Sequence, residues 1–248
     1  MTSHATQAPL PDRAVRELAA ATATLVTDHD VLGTITNLLD GCAGCVGASA
    51  AGIILATPDD GRPEFLAATD HRAQHLEVYQ VQADQGPGPE CTTTGQTVTA
   101  TGLAQIAARW PAVHEAFVAA GFDAVHAAPM NWQGRTLGAV NLFFDAGHHP
   151  DNGTGSETTM IAQAFADIAS LVIIHAGHLP PTHITAQTRA ALGERVVIER
   201  AKGVVAYTHN LPMDDAFDYL ITLSRERQQS LTTIATSIID AAAGPPRQ

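Results

Sequence analysis

Over residues 30–42 apolar side chains return at helical spacing, with Leu32, Ile35, Leu38 and Leu39 on one side, and residues 11–28 read as a preceding helix. Ala50–Ala56 is a short, continuous apolar run closed by Pro58-Asp59-Asp60-Gly61, which is strong turn chemistry. It predicts a strand whose partner returns over residues 64–69. His71–Ala83 has the polarity of a surface helix, and Gly86-Pro87-Gly88-Pro89 breaks the chain after it. Residues 96–103, rich in Thr and Val, read as a strand, and residues 109–120 as a helix. Ala124–Met130 and Thr136–Phe144 flank Asn131-Trp132-Gln133-Gly134, predicting two strands around a tight turn. Met160, Ile161, Phe165, Ile168, Val172 and His175 trace one face of a long helix over 157–177. This order of helices, antiparallel strands and helix predicts an α+β domain, an antiparallel sheet with flanking helices.

Beyond Pro180-Pro181 the pattern changes. Residues 184–243 read as three amphipathic helices without a strand. In the first, Val197, Ile198, Ala201, Val204 and Val205 form an apolar stripe, with Arg195, Glu199 and Lys202 on an adjacent polar face. Asn210-Leu211-Pro212 stops that helix. The second helix buries Ala216, Phe217, Leu220 and Leu223; Ser230 is an N-cap candidate for a third, with Leu231, Ile234, Ala235 and Ile238 inward. An all-α three-helix bundle of this size is marginal alone and leans on a neighbour or a dimer partner. The predicted organisation is a flexible N-terminus over 1–14, the α+β domain over 15–177, a proline-containing linker over 178–183, the bundle over 184–243 and a tail over 244–248. The helix of 157–177 is the expected dimer seam and signal path, unless its stripe simply packs on its own sheet.

Of the 248 residues, 45% are hydrophobic and 15% charged, a globular composition. The formal net charge of -12 argues against a uniformly basic nucleic-acid coat and against attraction of the whole chain to anionic membranes. The entire acidic excess lies upstream of the proline pair, and the downstream segment is neutral, so the two segments invite different partners. No apolar run approaches the roughly 20 residues that span a bilayer, and Met1–Pro11 lacks the pattern of a secretion signal. Three cysteines suit a reducing compartment, and a cytoplasmic location is expected. Cys42-Ala43-Gly44-Cys45 has no second pair to complete a zinc site and reads as small packing residues; no metal site is expected. His148 and His149 are adjacent, which points their side chains apart. No Walker, nucleophile-elbow or dinucleotide-binding pattern occurs, so no catalytic residue is assigned and the chain is not expected to be an enzyme.

Gly86-Pro-Gly-Pro-Glu-Cys-Thr-Thr-Thr-Gly-Gln-Thr-Val, then Arg109-Trp110-Pro111, Gly121-Phe122 and Gly134-Arg-Thr-Leu-Gly-Ala-Val-Asn-Leu-Phe resemble, in this order, the GAF domains of actinobacterial regulators. The resemblance implies a PAS-like sensory sheet that holds a small molecule, a chromophore or nothing. Cys91, Thr94, Phe122 and His126 are the candidates for lining such a pocket, whose ligand is unspecified. Some GAF-fold proteins reduce free methionine sulfoxide with cysteines, a rival reading with no reason to carry a helical tail.

Leu192, Arg195, Ile198, Ala201-Lys202-Gly203, Val205, then Asp215-Ala216-Phe217, Leu220, Ser224, Leu231 and Ala235 resemble the ANTAR domain, the RNA-binding module of transcription antiterminators. GAF followed by ANTAR implies a sensor whose state controls binding to a pair of adjacent RNA hairpins in a leader transcript, without DNA or membrane as partner. Arg195, Arg200 and Lys202 would bring charge, Tyr207 an aromatic face for an unstacked base, and Arg225, Arg227 and Gln228 further donors. Lys202, the sole lysine, could equally be a solvated helix position, and Tyr207 a core-edge aromatic. Gly203 within a helix costs about 1 kcal/mol against Ala, implying close approach of another helix or of RNA backbone. A neutral module under an acidic domain binds RNA weakly alone, which favours a homodimer engaging both hairpins. A second rival is a dimeric protein-interaction module that binds no RNA.

Overall fold

The computed structural model describes residues 15–16, 18–20, 22–23, 31–57, 62–147, 155–175, 184–227 and 229–243. Helix α1 (Val31–Val46) leads into strands β1 (Ala50–Ala56) and β2 (Pro63–Ala68). Helices α2 (His71–Ala83) and α3 (Pro87–Thr94) follow, then β3 (Val98–Thr101), α4 (Leu103–Arg109) and α5 (His114–Ala120). Strands β4 (Phe122–Trp132) and β5 (Arg135–Asp145) and helix α6 (Gly155–His175) complete the α+β part. The helix expected over 11–28 lies largely outside the described residues, as do His148 and His149.

The five strands form one antiparallel sheet in the order β2-β1-β5-β4-β3. Alternate residues of β1, β4 and β5 serve two cores. Ile53, Val140, Leu142, Ala128 and Met130 face α1 and α6, where Leu39 and Phe165 are fully buried. Ile54, Ala139, Phe143, Val125 and Ala127 face α2–α5, where Phe117 and Phe122 are buried. Helices on both faces explain why β1, β4 and β5 read as nearly continuous apolar runs rather than alternating ones. The β4–β5 connection is the tight turn its sequence predicts: Gln133 and Gly134 both take positive φ, 48° and 78°, the backbone of a two-residue type I′ hairpin.

Three local expectations need correction. The Gly-Pro-Gly-Pro stretch starts α3 instead of breaking the chain, because Pro87 sits at the first helical position, where no backbone donor is needed. Residues 109–120 are not one helix: α4 ends at Arg109, and α5 begins at His114. On α6 the buried face is Ile161, Ala162, Phe165, Ala169, Val172 and Ile173, whereas Met160 stands exposed. That apolar face lies on its own sheet, where Gln163 Nε2 also donates to the Pro129 carbonyl at 3.0 Å. Contrary to the expectation that no apolar run approaches a bilayer's span, Gly155–Ile174 is a helix long and apolar enough to cross a membrane, the single such helix among the described residues, and half of that stretch is buried in the fold.

The downstream segment forms three helices, α7 (Ile184–His209), α8 (Met213–Arg227) and α9 (Leu231–Ala243). Asn210, at φ 52°, ends α7, and Leu211 N–H closes it on the Ala206 carbonyl at 3.0 Å. Ser230 caps α9 by accepting from the Thr233 N–H at 3.0 Å. Ile198, Ala201, Val205, Ala216, Leu220, Leu231, Ile234 and Ala235 are the buried centre of the bundle.

Candidate functional site

Helix α7 presents two stripes that the amino-acid order interleaves. Residues three, four and seven apart share a face of a helix. Arg195, Ile198, Lys202 and Val205 therefore lie on one side, and Val196, Arg200, Gly203 and Tyr207 on another. The first side is covered and the second is open: Lys202 is 5% exposed and Tyr207 91%.

The covered side rests on the sheet domain, against β2 and α2. Arg195 Nη1 donates to the Phe65 carbonyl at 2.8 Å, and its guanidinium stands 4.3 Å from the centroid of the Phe65 ring. Burial pulls the Arg195 guanidinium below its ordinary value, opposed by the charges of Glu199 and Glu64. Lys202 Nζ donates to Gln74 Oε1 at 3.1 Å and to Glu199 Oε1 at 3.3 Å, and lies 5.3 Å from the Phe217 ring centroid. Gln74 Nε2 in turn donates to Glu199 Oε2 at 3.4 Å, so one amide of α2 engages both an acid and a base of α7. Nearby, His71 Nδ1 stands 3.8 Å from Asp214 Oδ1, linking α2 to the start of α8. A cavity of about 140 Å³ runs along this seam, lined by groups of both domains including Asp70, His71, Gln74, Arg195 and Lys202.

The open side is different in kind. Arg200 and Gly203 are exposed beside Tyr207 and Val196. A Cβ at Gly203 would meet nothing within 4 Å, so no packing within the chain requires a glycine there. Arg227 is exposed at the end of α8; the side chain of Arg225 and the whole of Gln228 lie outside the described residues. Of the eight residues with proposed RNA roles, α7 thus brings Arg200, Gly203 and Tyr207 together on solvent and turns Arg195 and Lys202 toward the sheet domain.

Of the four candidates for a pocket in the sheet domain, Cys91 and Phe122 share the α2–α5 core, and Thr94 and His126 lie apart from it. Cys91 is buried under β4, its Sγ 3.6 Å from the Ala127 carbonyl, and burial pushes its thiol up to about 12. Thr94 is exposed and bonds back to the Glu90 carbonyl at 2.8 Å. Phe122 stacks on Phe143 at 5.2 Å on the α2–α5 side. His126 is buried at a β4 position whose neighbours on the same face, Ala124 and Ala128, belong to the opposite core. Cys42 and Cys45 are fully buried, and burial raises the Cys42 thiol far above its ordinary value, which makes it inert. No cluster of three or more His, Cys, Asp or Glu able to hold a metal occurs among the described residues.

What does occupy the α2–α5 side is a polar network that the sequence reading assigned to a surface helix. Glu77 is fully buried, accepting from Asn141 Nδ2 at 2.8 and 3.0 Å and from Gln80 Nε2 at 2.9 Å. Gln80 Oε1 accepts from the Gly88 N–H at 3.1 Å, tying α2 to α3. Burial lifts the Glu77 carboxyl to about 8, against the Asn141 hydrogen bonds that favour its ionised form. A side chain at Gly52 would collide with this carboxyl group, so the glycine in β1 is the spatial counterpart of Glu77. Polar residues in a helix of mixed composition gave no sign of this inward turn.

Residues 186–239 match the model of the ANTAR domain. Among solved structures, the chain is similar to the A. aeolicus nlh2 GAF domain in an inactive state, with 12% identity and a TM-score of 0.50, covering 66% of this chain and 97% of that one. It is also similar to the GAF domain of an Acinetobacter phosphoenolpyruvate-protein phosphotransferase, with 11% identity, a TM-score of 0.48 and coverage of 67% and 95%. A third similar structure is the free methionine-R-sulfoxide reductase of Neisseria meningitidis in complex with its substrate, with 11% identity, a TM-score of 0.46 and coverage of 77% and 98%. No curated protein sequence matches the chain. The sheet order, its helices on both faces and the matched bundle together identify the chain as a domain of GAF fold followed by an ANTAR domain.

Proposed function

We propose that this chain is a transcription antitermination regulator whose GAF-fold domain senses a signal or dimerises and thereby controls binding of the ANTAR domain to paired RNA hairpins. The observation that carries the reading is the open stripe of α7 within the ANTAR match: Arg200, Gly203 and the 91% exposed Tyr207 side by side on solvent. An unburied tyrosine gives an unstacked loop base a face, an arginine beside it gives charge and donors, and a glycine lets a phosphate backbone approach the helix. Arg227 at the end of α8, with Arg225 and Gln228 close to it in sequence, adds donors; Arg195 and Lys202 belong to the same set once they are freed from the GAF-fold domain. The bundle is close to neutral beneath an acidic domain, so a dimer holding two hairpins at once gains by effective concentration what one module lacks. The reading assigns no catalytic role and places the protein in the cytoplasm, where nascent transcripts are made.

An electrophoretic shift with a dual-hairpin RNA, run at several salt concentrations, tests it. The expected result is a complex that needs both hairpins, weakens as salt rises, and is lost in Arg200→Ala and Tyr207→Ala. A dimeric protein that shifts no hairpin RNA under any condition overturns it and leaves protein docking as the role of the bundle.

A further inference from the structure

We propose that the seam between the domains is an autoinhibitory clasp: β2 and α2 of the GAF-fold domain hold the RNA-binding cations of α7, and the ANTAR domain binds RNA only when that clasp opens. The proposal rests on the RNA-binding reading above and concerns its regulation.

Three observations carry it. First, the two cations that α7 turns inward both bond to the other domain. Arg195 donates to the Phe65 carbonyl and lies over its ring, and Lys202 donates to Gln74. An RNA phosphate offers these groups the same kind of partner, an oxygen acceptor, so the clasp and the transcript compete for one set of donors. Second, the clasp belongs to the domain that carries the acidic excess of the chain, and the bundle it holds is close to neutral. RNA docking on α7 would have to approach that acidic surface, and separating the domains relieves the repulsion. Third, the seam is incompletely satisfied. Besides the cavity of about 140 Å³, Arg195 Nε and His71 Nδ1 are buried and make no hydrogen bond among the described residues. Arg195 Nε is thus a donor left over in the closed seam, which an RNA oxygen would satisfy on opening. The apolar part of the contact, where Leu32 and Leu231 line the same cavity, keeps the clasp shut in the absence of a competitor.

The chemistry of the chain provides a direct readout. Lys202 is its sole lysine, so acylation by an amine-selective reagent followed by mass spectrometry reports on the seam alone, apart from the α-amino group. Gln74→Ala and Phe65→Ala lie on the GAF-fold side and leave every proposed RNA-binding side chain in place. In the full chain, these variants should speed Lys202 acylation at least tenfold and tighten dual-hairpin binding at least tenfold. Faster acylation of Lys202 with RNA affinity unchanged would overturn the clasp while leaving the RNA-binding reading intact. Acylation in the parent chain as fast as in the variants would also overturn it. Absence of RNA binding from the parent and every variant, with the seam shown to be open, would overturn both.

Discussion

The two sides of α7 are one helix with the same alternation of charge and apolar residues, yet they live in different surroundings. On the inner side Ile198, Ala201, Lys202 and Val205 are buried, and the cations have partners. On the outer side Val196, Arg200, Gly203 and Tyr207 face water, and nothing in the fold explains the glycine or the bare tyrosine. The difference shows that counting cations along a helix says little about which are available. Position around the axis decides, and here it separates Lys202 from Arg200 although they are two residues apart.

The largest effect expected from this contrast is on stability. Ile198→Ala removes a side chain from the buried centre of the bundle and should cost about 2–5 kcal/mol, whereas Val196→Ala on the outer side should change stability by less than about 0.5 kcal/mol. Chemical denaturation of the two variants compares them directly; equal losses would erase the distinction between the sides.

A buried polar group of the GAF-fold domain gives a second contrast with the seam, where Lys202 is held by opposite charge. Glu77 has only neutral partners and a carboxyl raised from its ordinary value to about 8. The folded state therefore keeps a proton that the unfolded state releases from about pH 4.5 upward. The contribution to stability is present below that range and declines as pH rises to about 8, by an amount on the order of a few kcal/mol. Unfolding measured between pH 5 and 8 should show this fall, and Glu77→Gln should flatten it. A parent protein whose stability rises across that window contradicts the assignment.

Effects on the outer side should appear in binding rather than in folding. Tyr207→Ala and Arg200→Ala should each weaken dual-hairpin binding about tenfold, in line with roughly 1–3 kcal/mol for stacking of one base, with melting temperatures unchanged. The smallest effect is the most diagnostic of purpose. Gly203→Ala should stabilise the chain by about 1 kcal/mol, because the added methyl group meets nothing and the helix gains propensity. Weaker RNA binding by the same, more stable variant would mark the glycine as kept for its partner.

Much of the fold was legible because its signals are local. The apolar run of β1, the β4–β5 hairpin around Gln133-Gly134 and the cap at Ser230 each depend on neighbours in sequence. What was misread depends on tertiary contact. Helix α2 reads as a surface helix, yet Ala73, Leu76, Glu77 and Gln80 are buried: Asn141 and the space at Gly52, both distant in sequence, accommodate Glu77, and the space at Gly86 accommodates Gln80. The proline run of α3 reads as a break because a helix start and a loop share the same residues. For the candidate site, residue types on α7 were legible as one basic, aromatic set. Its division between two sides was not, since Phe65 and Gln74, more than 120 residues upstream, determine which side is covered.

The central claim, that the inner side of α7 serves the GAF-fold domain and RNA in alternation, is tested most directly by locking the seam. With Gln74→Cys and Glu199→Cys in the full chain, a short cleavable bis-maleimide can join α2 to α7, while Cys42, Cys45 and Cys91 are buried and unreactive. The account predicts that the cross-linked protein fails to shift a dual-hairpin RNA and that cleaving the linker restores the shift. Equal RNA affinity before and after cleavage would contradict it.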